Sequence, residues 1–214
     1  MQVEYVHFRD RAQRSAYIAR RFGALLQGEI LDVGCDQACL RRLLSGVTYV
    51  GVDRDGDPDV RLNLETIDRL PFDDGVFDCV ICSDVLEHLD NLHAMFGELV
   101  RVARRYVILA LPNNWANARK PLGRGKGSFS KYGLPVEPPA DRHKWFFSLS
   151  EAVQFITYQL EKYALTLHGW HVTEKPRRWA VRAWRRLLYP SQMRYLNRYA
   201  HTLWVVLEKR GDGG

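Results

Sequence analysis

Short apolar runs, each stopped by a glycine, a proline or a polar residue, set the strongest limit on what this chain can fold into. They are "EILDVG" (29–34), "TYVGVD" (48–53), "DVRLN" (59–63), "GVFDCVICS" (75–83) and "RYVILALPN" (105–113). Runs this short and this apolar predict strands buried on both faces, as in a parallel sheet. The stretch "HLDNLHAMFGELVRVAR" (88–104) lines up Leu89, Leu92, Met95, Phe96, Leu99 and Val102 at helical spacing. Strands alternating with helices predict an α/β fold. A helix is expected over residues 5–26, within an N-terminal segment 1–28. Another should begin at Leu40, Leu43 and Leu44, after the turn at Gly34. Ser148 followed by Glu151 is a capping box that opens a helix. "LTLHGWHVTE" (165–174) and "HTLWVVLEKR" (201–210) read as two closing strands. The second and third strands are separated by only "RDGDP" (54–58), too short for a helical crossover. An extended link is predicted, since parallel neighbours normally need about a dozen connecting residues.

At 214 residues the chain is long enough for one sizeable core, and a single domain over 1–214 is expected. The charged N-terminus does not read as a signal peptide, so a cytoplasmic protein is expected. Cys79 and Cys82 sit three apart on a predicted strand, which sends them to opposite faces. With no metal-ligand cluster evident, no metal is expected, and the four cysteines read as reduced and structural. The net charge of +6 is unevenly laid out. Acids dominate from Gly51 to Asp90. From Leu99 to Val136, and again from Lys175 to Arg198, there is no Asp or Glu. One half suits a cationic ligand and the other an anionic partner or surface.

The turn after the first of these strands, "ILDVGCDQACL" (30–40), places Asp36 and Ala38 where a phosphate-binding loop would carry more glycine. A pyrophosphate needs close backbone approach, and Asp36 would set a negative charge beside it. A sulfonium nucleoside has no phosphate and carries positive charge, so Asp32 and Asp36 favour it. Asp also tolerates left-handed backbone. Asp53, about 20 residues beyond the turn at the end of the next strand, stands where a carboxylate meets ribose hydroxyls.

Taken together, "ILDVGCDQA", "YVGVD", "LNLETIDRLPFDDGVFDCVICSDVLEHL" and "YVILALPN" resemble the successive motifs of class I S-adenosylmethionine-dependent methyltransferases, small-molecule branch. The resemblance covers roughly residues 25–115. It implies a doubly wound, mostly parallel seven-stranded sheet with one reversed strand, and S-adenosylmethionine as cofactor. Carried over, Asp32, Gly34 and Cys35 face the methionine end, Asp53 the ribose, and Asn63 and Leu64 the adenine. Ser83 contacts the cofactor through its backbone, and His88 shapes the pocket. The departures are Asp36, Ala38 and the short crossover.

The segment 113–147, dense in Gly, Pro, aromatic and basic residues, reads as a substrate lid. At its end His143 is the candidate catalytic base for a hydroxyl nucleophile. Arg124, Tyr132 and Trp145 are candidate substrate contacts, with Lys126 beside them. The acceptor is expected to be a small molecule or glycan, anionic or lipid-linked, methylated at oxygen. RNA methylation and a cofactor-binding pseudoenzyme are the alternatives. Residues 174–200 form a basic helical insertion whose stripe of Trp179, Ala183, Trp184, Leu187 and Leu188 is ringed by Arg178, Arg182, Arg185 and Arg186. It admits three readings: peripheral contact with an anionic membrane, an RNA surface, or a cover for the sheet with snorkelling arginines. The cover is preferred and nucleic acid disfavoured; the oligomeric state is left open.

Overall fold

The computed structural model describes residues 1–129, 131–139 and 141–210. Positions 130 and 140 of the expected lid, and 211–214 of the expected domain, lie outside them. Eight strands form one sheet: β1 (Gln2–Tyr5), β2 (Glu29–Val33), β3 (Thr48–Asp53), β4 (Val60–Arg61), β5 (Phe77–Ser83), β6 (Ala103–Pro112), β7 (Leu165–Glu174) and β8 (Ala200–Lys209). Their order is β1-β7-β8-β6-β5-β2-β3-β4. Strand β8 runs antiparallel to both neighbours, and every other pairing is parallel. The helices are α1 (Arg11–Phe22), α2 (Leu92–Val102), α3 (Asn114–Arg124), α4 (Leu149–Lys162), α5 (Trp179–Leu188) and α6 (Gln192–Tyr199).

Successive residues of a strand face opposite ways, so each central strand feeds two cores. Leu31, Val33, Val80, Cys82, Val107 and Leu109 pack with residues of α2, α4 and α6. Ile30, Cys79, Ile81, Tyr106 and Ile108 pack with Tyr17, Ile18 and Phe22 of α1 and with Trp204. Cys79 and Cys82 therefore lie on opposite faces, both as free thiols.

Four expectations about secondary structure are corrected. The N-terminal helix is shorter than 5–26: Asp10 caps it by accepting the Gln13 N–H, and the chain before it is strand β1, the eighth strand. That strand is held by side chains as well as by pairing, because the Tyr17 hydroxyl lies 2.6 Å from Glu4 and 2.5 Å from His171 on β7. The helix expected after Gly34 is a single 3-10 turn, Arg41–Leu43. Asp36 (φ 48°) and Ala38 (φ 46°) are left-handed, which breaks the run of right-handed residues a helix needs. The first part of the lid is helix α3. Pro121 lies within it, a residue that argues against helix when only the sequence is read. The second crossover is short and non-helical as expected, but it is bent rather than extended, with Gly56 at φ 80° and the Asp57 N–H on the Asp36 carbonyl, and the expected strand over 59–63 is only Val60–Arg61. Residues 54–59 join β3 to β4 in parallel register, Val52 to Val60 and Asp53 to Arg61.

Candidate active site

In open α/β sheets ligands bind beyond the carboxyl ends of the strands, where the strand order reverses. Here β2 and β5 are neighbours, with β3 and β4 to one side and β6 to the other. The turn at Gly34 and the end of β5 at Ser83 flank that crevice. Gly34 is needed for two reasons. Its φ is 81°, and a Cβ there would sit 2.2 Å from Val85 Cγ2. Its N–H, like that of Cys35, is directed at the Val52 carbonyl, which fixes the turn against β3.

The carboxylates at this edge differ in their partners. Asp32 is buried, and its only hydrogen-bond partner among the described residues is the Tyr49 hydroxyl, at 2.6 Å. Burial pushes its pKa up to about 6, the Tyr49 hydrogen bond opposing and the Asp53 charge reinforcing the rise. A cation beside Asp32 would favour its ionised form further, so the site fits the ammonium and sulfonium of the expected cofactor and does not fit a phosphate. Asp53 is occupied with backbone. Its Oδ2 accepts the Asp36 N–H at 2.8 Å, and its Oδ1 accepts from Arg54 (2.7 Å) and Asp55 (3.2 Å). About one lone-pair site of the four on a carboxylate is left for a ribose hydroxyl. Asp36, the odd residue of the turn, is ion-paired with Arg11 at 3.2 Å. Cys35 is buried, and burial together with Asp32 and Asp53 drives its thiol up to about 12, which leaves it unreactive. Asn63 and Leu64 follow β4 beside Asp53, whose carbonyl accepts the Leu62 N–H. Ser83 Oγ is buried without a hydrogen-bond partner among the described residues.

A second group lies under the lid. Glu87 is fully buried, and neither carboxylate oxygen has a hydrogen-bond partner among the described residues. Burial, reinforced by Asp84, raises its pKa well above the usual carboxylate range. His88 Nδ1 faces two acceptors, Asp141 Oδ1 at 2.7 Å and the Arg142 carbonyl at 3.2 Å, so it carries the ring proton. Burial holds the His88 pKa down, and the neutral ring turns its Nε2 lone pair toward Glu87 Oε1, 3.6 Å away. Two lone pairs facing one another call for a positive group, either a proton on Glu87 or a cation. The His143 ring meets the His88 ring edge-on at 4.4 Å. One ligand atom from each of Glu87, His88 and His143 falls within 4.8 Å of the others, the arrangement of a potential metal site. The expectation that no such cluster exists is thereby overturned. The spacing 87, 88, 143 hides it, because the third member comes from the far end of the lid.

His143 itself is 8% exposed. Asn114 is oriented by accepting the Phe147 N–H, so its amide N–H points at His143 Nδ1, 3.2 Å away. The Tyr132 hydroxyl reaches the same nitrogen at 2.6 Å. In the neutral ring Nδ1 is thus the acceptor. Burial first, with further lowering from His88 whenever it is protonated and from Lys131, takes the pKa to about 3. His143 and Tyr132 line one cavity of about 390 Å³, together with Ala118, Leu122, Phe129, Arg142, Lys144 and Phe146. Of the expected substrate contacts only Tyr132 is there. Trp145 donates to the Leu89 carbonyl at 2.7 Å and packs on His93, so it serves packing. Arg124 ends α3 and lines neither this cavity nor its neighbour. Of Trp145 and Phe146, which the sequence offers as packing with one of them a pocket-lining residue, it is Phe146 that lines the cavity; Arg142 is not marked in the sequence except by its place in "DRHKWFF" beside His143.

Residues 31–111 match the family model of the methyltransferase domain. That stretch holds the Gly34 turn, Asp53, Ser83 and Glu87. It is a class I S-adenosylmethionine-dependent methyltransferase domain. S-adenosylmethionine is accordingly its methyl donor, and the whole chain has the corresponding fold. The methyltransferase domain of bacterial CtHen1-C is similar at TM-score 0.62 and 16% identity, over 94% of this chain and 99% of that one. The small RNA methyltransferase HEN1 is similar at TM-score 0.61 and 17% identity; all of this chain is covered, but only 27% of that one. Magnesium protoporphyrin IX methyltransferase from Synechocystis PCC 6803, solved with S-adenosylhomocysteine, is similar at TM-score 0.55 and 16% identity, over 93% and 83% of the two chains. No curated protein sequence matches the chain.

Proposed function

We propose that the protein transfers the methyl group of S-adenosylmethionine to a hydroxyl oxygen of a small molecule or glycan. The observation that carries this reading is His143, buried in the wall of a cavity of about 390 Å³ with its Nδ1 on the Tyr132 hydroxyl. The sulfonium supplies an activated methyl carbon. The acceptor oxygen attacks that carbon in line, the C–O bond forms as the C–S bond breaks, and sulfur keeps the electron pair. Alignment and exclusion of water can provide much of the rate. The hydroxyl proton must still leave, and His143 Nδ1 can take it through the Tyr132 hydroxyl, which already lies on that nitrogen. Arg142 on the cavity wall suits an acceptor that also carries an anionic group.

The test is a labelling assay with tritiated S-adenosylmethionine and fractionated cell extract. Label should enter the small-molecule, glycan or glycolipid fraction. His143→Ala should lower turnover about 10²–10⁴-fold, with calorimetric affinity for S-adenosylmethionine unchanged. Full activity in the variant would remove the base from the scheme.

A second reading rests on the unpartnered oxygens of Glu87. Glu87, His88 and His143 would hold a divalent cation, with Asp141 orienting His88 as a carboxylate behind a histidine ligand. Such an ion would supply Lewis-acid polarisation of the hydroxyl. The similarity to a small RNA methyltransferase makes RNA the acceptor to test under this reading. Activity that survives a strong chelator, or label absent from RNA, would set it aside.

A further inference from the structure

Helix α5 is amphipathic, yet it docks on the protein by its polar side. Arg182 lies over the Tyr5 ring at 4.1 Å, Arg185 over Tyr199 at 4.2 Å and Arg186 over Tyr195 at 3.8 Å. Arg185 also pairs with the buried Glu174 at 2.9 Å, and that carboxylate accepts the Tyr195 hydroxyl at 2.8 Å. The opposite side faces outward. Trp179 is 76% exposed, Trp184 61% and Leu187 73%, with Leu188 and Val181 also exposed, and no residue of the helix is buried. The sheet does not receive this stripe, so the expectation that it covers the sheet is corrected.

The surroundings are cationic. Lys120 of α3 has its pKa lowered by Arg177 and Lys175, with Arg124 and Arg119 adding to the effect, which places α3 and the β7–α5 link in one positive field. Arg119, held down first by burial, also feels Arg198 of α6 and Arg185 of α5. Among the described residues, the Arg185–Glu174 pair is the ion pair made by a cation between Lys175 and Arg198. A row of exposed Trp and Leu side chains beside unneutralised cations matches the boundary of an anionic bilayer. There the apolar side enters the acyl region and the cations meet headgroups. Other occupants fit less well. A second copy would bring two positive surfaces together. RNA would find the tyrosines already capped by arginines, and exposed leucines offer it nothing to stack on. No helix among the described residues is long and apolar enough to span a membrane, so the contact lies in the plane.

We propose that α5 docks the protein on anionic lipid surfaces, with Trp179, Trp184, Leu187 and Leu188 inserted and the cations of α3 and the β7–α5 link on the headgroups. The proposal goes beyond the reaction and does not depend on the acceptor. The test is co-sedimentation of the full chain with vesicles of phosphatidylglycerol and phosphatidylcholine, or of phosphatidylcholine alone. Binding should require phosphatidylglycerol, weaken with added salt, and fall more than about tenfold in Leu187→Glu and in Trp184→Glu. The milder Leu187→Ser, with circular dichroism, guards against a folding defect. Failure of the folded protein to sediment with anionic vesicles at low salt would overturn it. So would binding that both glutamate variants retain. Salt-sensitive binding of an RNA oligonucleotide, or dimerisation abolished by the same variants, each without vesicle binding, would assign the surface to the other occupant.

Discussion

Helices α4 and α5 both carry an apolar side and a polar side, and they dock in opposite senses. Helix α4 turns Leu149, Ala152 and Ile156 into the core against the sheet and α6. Helix α5 turns its arginines inward and its tryptophans outward. Helical periodicity establishes that a helix has two faces. Which face meets the protein depends on what the protein presents. Beneath α4 lies an apolar sheet. Beneath α5 lie Tyr5, Tyr195, Tyr199 and Glu174, which make a surface of aromatic rings around a buried charge. Arginine is suited to such a surface because its guanidinium stacks on rings and pairs with carboxylate at once.

This contrast can be broken at several points. The largest effect belongs to Ile156→Ala, which empties a fully buried position and should cost about 2–5 kcal/mol in urea unfolding; a loss under about 1 kcal/mol would show that α4 is not packed as described. Next is Glu174→Gln, which removes the charge under α5 and should cost about 1.5–3 kcal/mol, the range for hydrogen bonds to charged groups. Limited proteolysis should then cut within α5 earlier than elsewhere, and unchanged protection would mean the arginine side does not hold the helix. Ser148→Ala deletes one half of the capping box of α4 and should cost about 1 kcal/mol, read as a lower thermal midpoint. Smallest is Leu187→Ser, expected within about 0.5 kcal/mol because the side chain is solvated. A clear destabilisation there would mean that α5 also buries its apolar side.

Much of the fold was legible in the sequence because its signals were local. The strands announced themselves by composition, Ser148 and Glu151 by spacing, and Asp36 by its tolerance of the left-handed turn it adopts. What escaped depended on distant partners. Strand β1 is four residues long, too short to show a period, and is defined by β7. Helix α3 was hidden by Pro121. At the site, the residues at the ends of β2, β3 and β5 follow from topology, and the structure brings them to one edge. The grouping of Glu87 and His88 with His143 does not follow from topology, since it requires the lid to fold back. No sequence period marks such a return. The burial of Glu87 is equally invisible, because a glutamate at a strand–helix junction is ordinarily solvated.

The placement of β1 has a consequence for how the chain is made. Residues 2–5 leave the ribosome well before their strand partner at 171–174, and the Tyr17–His171 contact closes a separation of 154 residues. Closing loops of that length is slow relative to local pairing. The edge of β7 must therefore wait, exposed, for a segment synthesised long before it. An exposed strand edge is a template for pairing with other chains. A nascent chain truncated before β7 is left with a first strand that has nowhere to go, and a protein with Gln2–Tyr5 removed keeps an open edge on β7. In both cases the expected fate is association, with the crevice between β2 and β5 already formed.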